Sequence, residues 1–238
     1  MSYAYNPCQI TKIISETDLV KRFFFKFANE HLFEFKAGQF VMLHLPIESK
    51  YQNRSYSIAS PPSSDNTFEL AIILNPKGLG TPYLWGNIEI GSFIDVSNPI
   101  GKFILQEPIE EDICFIGTGT GIAPLRSMIM YILNNNIPHK NIYLIFGNRW
   151  EKDIIYYKEF KELATKHNSF NFIPVLSRDN PGWEGKKGYV HEIYEDIFSD
   201  KRSATFYLCG WRDMLRDARH RLEMMGYNKK KIKFESYD

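Results

Sequence analysis

Residues 117–124 read Gly-Thr-Gly-Thr-Gly-Ile-Ala-Pro, between an apolar run, Ile113–Ile116, and a segment with helical spacing. A glycine turn joining a short buried strand to a helix predicts a parallel, helix-flanked sheet, and few local patterns restrict a fold as strongly. The glycines let backbone approach a ligand, and the first helical N–H groups offer partial positive charge to a phosphate. Pro124 suits the first turn of that helix. The run is not a P-loop, since no Lys-Ser/Thr pair follows, and Ile122 breaks the GxGxxG dinucleotide pattern. The acidic ribose ligand expected about 20 residues on is replaced by Ile137-Pro138-His139. Such a turn also arises merely to let a helix pack closely; the hydroxyls of Thr118 and Thr120, which packing does not need, favour a ligand.

After the acidic stretch 106–112 the chain alternates strand-like segments, Ile113–Ile116, Asn141–Phe146, Asn171–Leu176 and Ala204–Cys209, with helical ones. Leu125, Met128, Ile129, Ile132 and Leu133 mark one buried helical face, and Met214, Leu215, Ala218, Leu222 and Met225 another that ends at Gly226. A last strand spans Lys231–Tyr237. The expected fold is an α/β doubly wound parallel sheet, in which ligands gather at the carboxyl ends of strands. Arg149, Ser177-Arg178 and Cys209-Gly210 stand at such ends. Singly, each arginine also reads as a solvated surface residue; jointly they read as a nucleotide crevice.

The N-terminal half has a different rhythm. Short runs rich in Val, Ile and Phe, at Gln9–Ile14, Val20–Phe27, Phe40–Leu45, Arg54–Ala59, Phe68–Leu74 and Phe93–Ser97, are separated by Gly, Pro, Asn and Ser clusters. They predict a small antiparallel β-barrel interrupted by one helix near Thr81–Asn87. Arg54 and Tyr56, two apart on a strand, share a face and suit a phosphate and a flat ring, or equally an ordinary snorkelling barrel strand. The turn Gly78-Leu79-Gly80-Thr81-Pro82 leads into the helix with Thr81 as expected N-cap, a second candidate anion cradle. Two cradles in two domains suggest two nucleotides.

Composition removes other classes. The 238 residues carry 44% hydrophobic and 15% aromatic content, enough for real cores, and 29 Lys+Arg balance 28 Asp+Glu. That balance argues against a nucleic-acid partner, and no apolar run approaches the ~18 residues of a membrane span. The start, Met1-Ser2-Tyr3-Ala4-Tyr5, lacks signal-peptide character. Three cysteines without a CxxC pair exclude a disulfide scaffold, structural zinc or a four-cysteine cluster. The chain reads as a soluble, cytoplasmic protein, expected to be a monomer.

In order along the chain, six segments resemble the motifs of the ferredoxin–NADP+ reductase superfamily. Arg54-Ser55-Tyr56-Ser57 resembles RxYS, Gly78–Thr81 resembles GxxS with Thr for Ser, and Asn98–Phe103 resembles GPxGxF with Asn98 for Gly. Gly117–Pro124 resembles GTGTGIAP, Cys209–Met214 CGxxxM, and Glu235-Ser236-Tyr237 ExY. The resemblance implies an FAD-binding barrel over residues 1–107 and an NAD(P)-binding domain over 108–238. It places FAD against Arg54, Ser55, Tyr56, Ser57, Gly78, Gly80 and Thr81, with Arg54 and the glycine turn on the pyrophosphate, Tyr56 stacked and Ser57 near flavin N5. It places the nicotinamide nucleotide against Gly117, Thr118, Gly119, Thr120, Gly121, Pro124, Cys209, Gly210 and Met214, and the strand-end position read above adds Arg149. Ser57, Cys209, Glu235 and Tyr237 are its catalytic candidates, Cys209 beside the nicotinamide and Tyr237 covering the flavin; Asp238 departs from members ending at the aromatic residue.

Ser177, Arg178, Lys187 and Tyr189 resemble a SR…KxY set for the 2′-phosphate of NADPH, while Asp179 opposes it and Trp183-Glu184-Gly185 resembles NADH-using relatives. The implied activity is hydride exchange between NAD(P)H and FAD, coupled to ferredoxin, flavodoxin or another one-electron carrier. Lys229–Lys231 with Lys233 offers an acidic carrier a docking patch, or is a solvated charge run. An NAD(P)H:flavin reductase and a non-catalytic flavin-binding subunit are the alternatives.

Overall fold

The computed structural model describes residues 4–28, 33–47 and 50–237. Contacts divide the chain into residues 1–105 with Arg126–Asn135, and Gln106–Leu125 with residues 136–238.

In the first unit β1 (Tyr5–Ser15), β2 (Val20–Phe27), β3 (Phe40–Ile47), β4 (Lys50–Ser57), β5 (Thr67–Ile73) and β6 (Phe93–Ser97) form one antiparallel sheet. Its order is β4-β3-β6-β1-β2-β5. Helix α1 (Gly80–Asn87) lies between β5 and β6 in sequence. Alternation sets the faces: Phe23, Phe25 and Phe27 of β2 and Val41, Leu43, Leu45 and Ile47 of β3 all point into one core. Phe25 and Phe68 stack there with centroids 4.7 Å apart. Each such fully buried side chain contributes about 1.5–3 kcal/mol. A bulge between Ile10 and Lys12 interrupts the β1–β2 register and adds coil.

The expected strand Arg54–Ala59 is instead Lys50–Ser57. After Ser57 the chain changes partner: Ile58 bridges Leu70, and Ala59 N–H donates to Glu69 O at 2.8 Å. That exchange joins the two edge strands and curls the sheet. Glu69 is buried between Arg22, at 2.5 Å, and Arg126, at 3.4 Å, while Arg126 also donates to Ala59 O.

The second sheet is parallel throughout, built from β7 (Asp112–Thr118), β8 (Ile142–Asn148), β9 (Phe170–Leu176), β10 (Lys186–Lys187), β11 (Ala204–Trp211) and β12 (Ile232–Tyr237). Helices α2 (Ile122–Asn134), α3 (Tyr157–Lys166), α4 (Val190–Ile197) and α5 (Arg212–Met224) supply crossovers. Strand order β10-β9-β8-β7-β11-β12 reverses direction between β7 and β11, the switch point of a doubly wound sheet. Continuous burial from Asp112 to Gly117 marks β7 as a central strand covered on both faces. The predicted face of α2 is buried as read. Helix α5 ends at Gly226, whose φ of +100° permits Gly226 N–H to bond Glu223 O at 3.0 Å and Tyr227 N–H to bond Leu222 O at 3.1 Å. Among the described residues no helix is long and apolar enough to cross a membrane.

Candidate functional site

On β4, alternation puts Arg54 and Tyr56 on one face and buried Ser57 on the other; Ser55 is exposed. The Arg54 guanidinium donates to Gln52 Oε1 at 2.7 Å and Asn53 O at 2.8 Å. Its stem lies over Gly80 at the head of α1, where an added Cβ would come within 3.0 Å of Arg54 Cγ and 3.1 Å of Nε. The strand and the glycine turn thus meet through the arginine. Burial pushes the Tyr56 phenol up to about 12 against the opposing pull of Arg54, so the ring is neutral. Thr81 is not the N-cap, which is Leu79. Its hydroxyl instead closes the turn before it, accepting from Asn75 N–H at 2.8 Å and donating to Asn75 O at 3.2 Å. Gly78 N–H bonds Asn75 O at 3.0 Å, so the cradle is a pre-folded loop.

In the second unit, the glycine loop after β7 meets the end of β11. A Cβ on Gly121 would stand 2.5 Å from Cys209 O and 2.6 Å from Gly210 Cα. Gly210, at φ +135°, would put its own Cβ 2.2 Å from Thr118 Oγ1. Trp211 N–H donates to that same oxygen at 3.1 Å. The Thr118 hydroxyl therefore has a structural partner, contrary to the reading that packing does not need it. Thr120 carries no such bond among the described residues. Pro124 is buried in the first turn of α2, and Met214 packs against the core beneath the start of α5.

Pairing of β11 with β12 sets Cys209 opposite Glu235 and Trp211 opposite Tyr237. Cys209 is fully buried, and burial followed by the charge of Glu235 drives its thiol well above the ordinary range, against a hydrogen bond from Tyr237. The sulfur is a neutral thiol, not an activated nucleophile.

At the carboxyl ends of β8, β9 and β10, Ser177 N–H bonds Asn148 O at 3.0 Å and Gly188 N–H bonds Leu176 O at 2.9 Å. Lys187 therefore lies beside the Ser177-Arg178 corner. Arg178, Lys187 and Tyr189 are all exposed. Lys187 pairs with Asp179 at 3.7 Å, so Asp179 faces a cation as well as standing beside Arg178. Arg149 sits with its guanidinium carbon 5.9 Å from the ring centroid of Trp211, an indole 60% exposed. Two features here escape a reading of the sequence. Trp211 falls at an unspecified motif position, and buried Asn148 Nδ2 has no partner among the described residues. Neither carries a sequence signal; both follow from strand ends meeting in space. In the lysine run, Lys231 pairs with Glu111 at 2.5 Å and Lys229 with Glu223 at 3.5 Å, which leaves less free charge for docking than the sequence suggests.

A family profile for the oxidoreductase FAD-binding domain matches residues 7–104, and one for the oxidoreductase NAD-binding domain matches residues 115–220. Over 226 residues the chain is 32% identical to ferredoxin–NADP reductase B of Sorangium cellulosum, covering 92% of each chain. The chain belongs to the ferredoxin–NADP+ reductase-like superfamily. It is also 31% identical over 231 residues to the glycine betaine monooxygenase reductase subunit of Pseudomonas aeruginosa, covering 95% of this chain and 62% of that one. Among solved structures, a ferredoxin NADP+ reductase from Neisseria gonorrhoeae with bound FAD and NADP superposes with a TM-score of 0.85 at 24% identity, covering 99% of each chain. That likeness establishes the reductase fold: a curled antiparallel sheet and a parallel sheet with helices. As a member of this superfamily the protein is a flavin-dependent oxidoreductase that shuttles electrons between NAD(P)H, FAD and a separate redox partner.

Proposed function

We propose that this reductase exchanges electrons between NADPH and a ferredoxin- or flavodoxin-type one-electron carrier through tightly held FAD. The observation that carries the reading is the meeting of glycine loops at the ends of β7 and β11. Gly121 and Gly210 let the two loops close on each other at the switch point where nucleotides bind, and beside them Gly119 faces open space, with nothing within 4 Å of where its Cβ would stand. The flavin half is supported by Arg54, whose stem packs directly on Gly80 and so brings its guanidinium to the head of α1. The residues fit both groups. A nicotinamide supplies hydride, and a flavin takes two electrons and can return them singly.

In this reading Arg54, its guanidinium turned from Gln52 and the Asn53 carbonyl, holds the FAD diphosphate with Gly78, Gly80 and Thr81. Ser55 adds a hydroxyl beside it, and neutral Tyr56 offers a flat face for stacking. Either Ser57 or Glu235 holds the proton that accompanies hydride. Gly117, Thr118, Gly119, Thr120 and Gly121, followed by Pro124, set the α2 N-terminus against the coenzyme diphosphate, and Arg149 adds charge. Thr118 also fixes Gly210 and Trp211 through its bond to the Trp211 N–H. Cys209 serves as a small neutral packing group, Met214 anchors the start of α5 to the core, and Tyr237 supplies an aromatic ring. Ser177, Arg178, Lys187 and Tyr189 take the 2′-phosphate and adenine. Two relatives bearing the names ferredoxin–NADP reductase and monooxygenase reductase subunit support a protein acceptor.

The test is flavin retention on gel filtration with a ferricyanide diaphorase assay using NADPH and NADH. Wild-type protein is expected to elute yellow and favour NADPH. Arg54→Ala, losing charge-assisted bonds of about 1.5–3 kcal/mol, should weaken FAD roughly 10- to 100-fold. Colourless protein after reconstitution with FAD, or an Arg54→Ala variant that retains flavin as the wild type does, would reject the reading.

A further inference from the structure

We infer that Asp179 tunes the choice between NADPH and NADH by occupying Lys187, one of the two cations available to a 2′-phosphate. This rests on the 2′-phosphate assignment above. The pair is a product of the local fold. Trp183 is buried, its N–H bonds Asn180 O at 3.0 Å, and its indole Nε1–H donates to Lys186 O at 3.0 Å. Gly185 lies so close to the indole that a Cβ there would meet the ring at 2.4 Å. The loop is thereby folded back on itself, and β9–β10 pairing holds Lys187 beside the Ser177-Arg178 corner. Asp179 Oδ1 then lies 3.7 Å from Lys187 Nζ. Among the described residues Arg178 has no acid partner, so one cation is free and the other is held.

The charges decide the consequence. Asp179 is 91% exposed and Lys187 59%, so their pair is weak and displaceable. A phosphate monoester, with about 1.5 to 2 negative charges at pH 7, outcompetes a carboxylate for the ammonium but must first displace it. It then stays near the carboxylate's own charge. A ribose hydroxyl meets neither cost. Asp179 therefore reduces discrimination in favour of the phosphorylated nucleotide and leaves NADH as a usable second donor.

The experiment measures binding of 2′,5′-ADP and 5′-AMP to the FAD-loaded protein by calorimetry, for wild type, Asp179→Asn, Lys187→Ala, the double variant and Arg178→Ala. Asp179→Asn is expected to tighten 2′,5′-ADP about two- to fivefold, the range of an exposed pair. It should leave 5′-AMP unchanged, and the gain should vanish in the Lys187→Ala background and shrink at high salt. Unchanged or weaker 2′,5′-ADP binding in Asp179→Asn, while Arg178→Ala still loses it, would overturn the inference and leave the 2′-phosphate site standing. Weaker 5′-AMP binding would also overturn it, since Asp179 would then be a ribose ligand. If wild type binds both nucleotides equally and Arg178→Ala changes neither, the 2′-phosphate reading fails and the inference fails with it.

Discussion

Replacing Gly121 with alanine is the sharpest test of the proposed nucleotide site. The new methyl would stand 2.5 Å from Cys209 O and 2.6 Å from both Cys209 C and Gly210 Cα, all backbone atoms that no rotamer change can move. To reach the ordinary 3.4 Å, the glycine loop and the end of β11 must part by about 0.9 Å. Overpacking of this kind costs about 1–3 kcal/mol. Stretching the Trp211 N–H bond to Thr118 adds about 0.5–1.5 kcal/mol. At roughly 2–4 °C per kcal/mol for a domain of about this size, Tm should fall by several degrees. Activity should fall further, because a misplacement of about 1 Å at a positioning surface costs about 10²-fold. Gly86→Ala is the control, since nothing lies within 4 Å of a Cβ there and α1 gains helix propensity. Thermal unfolding and stopped-flow flavin reduction by NADPH would be read together. If Gly121→Ala kept the Tm of Gly86→Ala and a reduction rate within twofold of it, the close approach of the two loops would not be what organises the site.

Two further outcomes follow from buried charge and buried thiols. Glu69→Ala leaves Arg22 and Arg126 without their shared, buried carboxylate and should destabilise the first unit by about 3–5 kcal/mol, measured by urea denaturation; a loss under 1 kcal/mol would show that the pair has no structural role. Burial raises the thiols of Cys8, Cys114 and Cys209 above their unfolded range. Their contribution is therefore intact below the unfolded pKa near 8.5 and is lost as pH rises beyond it, at about 1.4 kcal/mol per pH unit for each thiol. A flat stability profile from pH 8 to 10, or rapid alkylation of native protein at pH 8, would contradict this.

Much was legible along the chain because it is encoded by neighbours in sequence. The strands expected at Val20–Phe27 and, two residues short of its observed end, at Phe40–Leu45, with the buried face of α2, the Gly226 cap and the strand-turn-helix at Gly117–Pro124, appear where expected, since each depends on local backbone geometry and burial of one face. The end of β4 and the cap of α1 were not legible. Ser57 ends its strand because Ile58 finds Leu70, and Thr81 leaves the cap to Leu79 because its hydroxyl closes the turn at Asn75. Both outcomes depend on partners that no local pattern specifies.

Sequence alone determined which residues carry the chemistry that the proposed nucleotide sites need: the glycines, Arg54, Arg178 and the aromatic rings are properties of the chain itself. Tertiary structure alone decided which of them are engaged. Thr118 spends its hydroxyl on Trp211, Cys209 is held neutral beside Glu235, and Lys187 is held by Asp179. The physical reason is that hydrogen bonding, desolvation and ion pairing depend on distance and burial, which only the parallel pairing of β7, β11 and β12, and of β9 with β10, brings about.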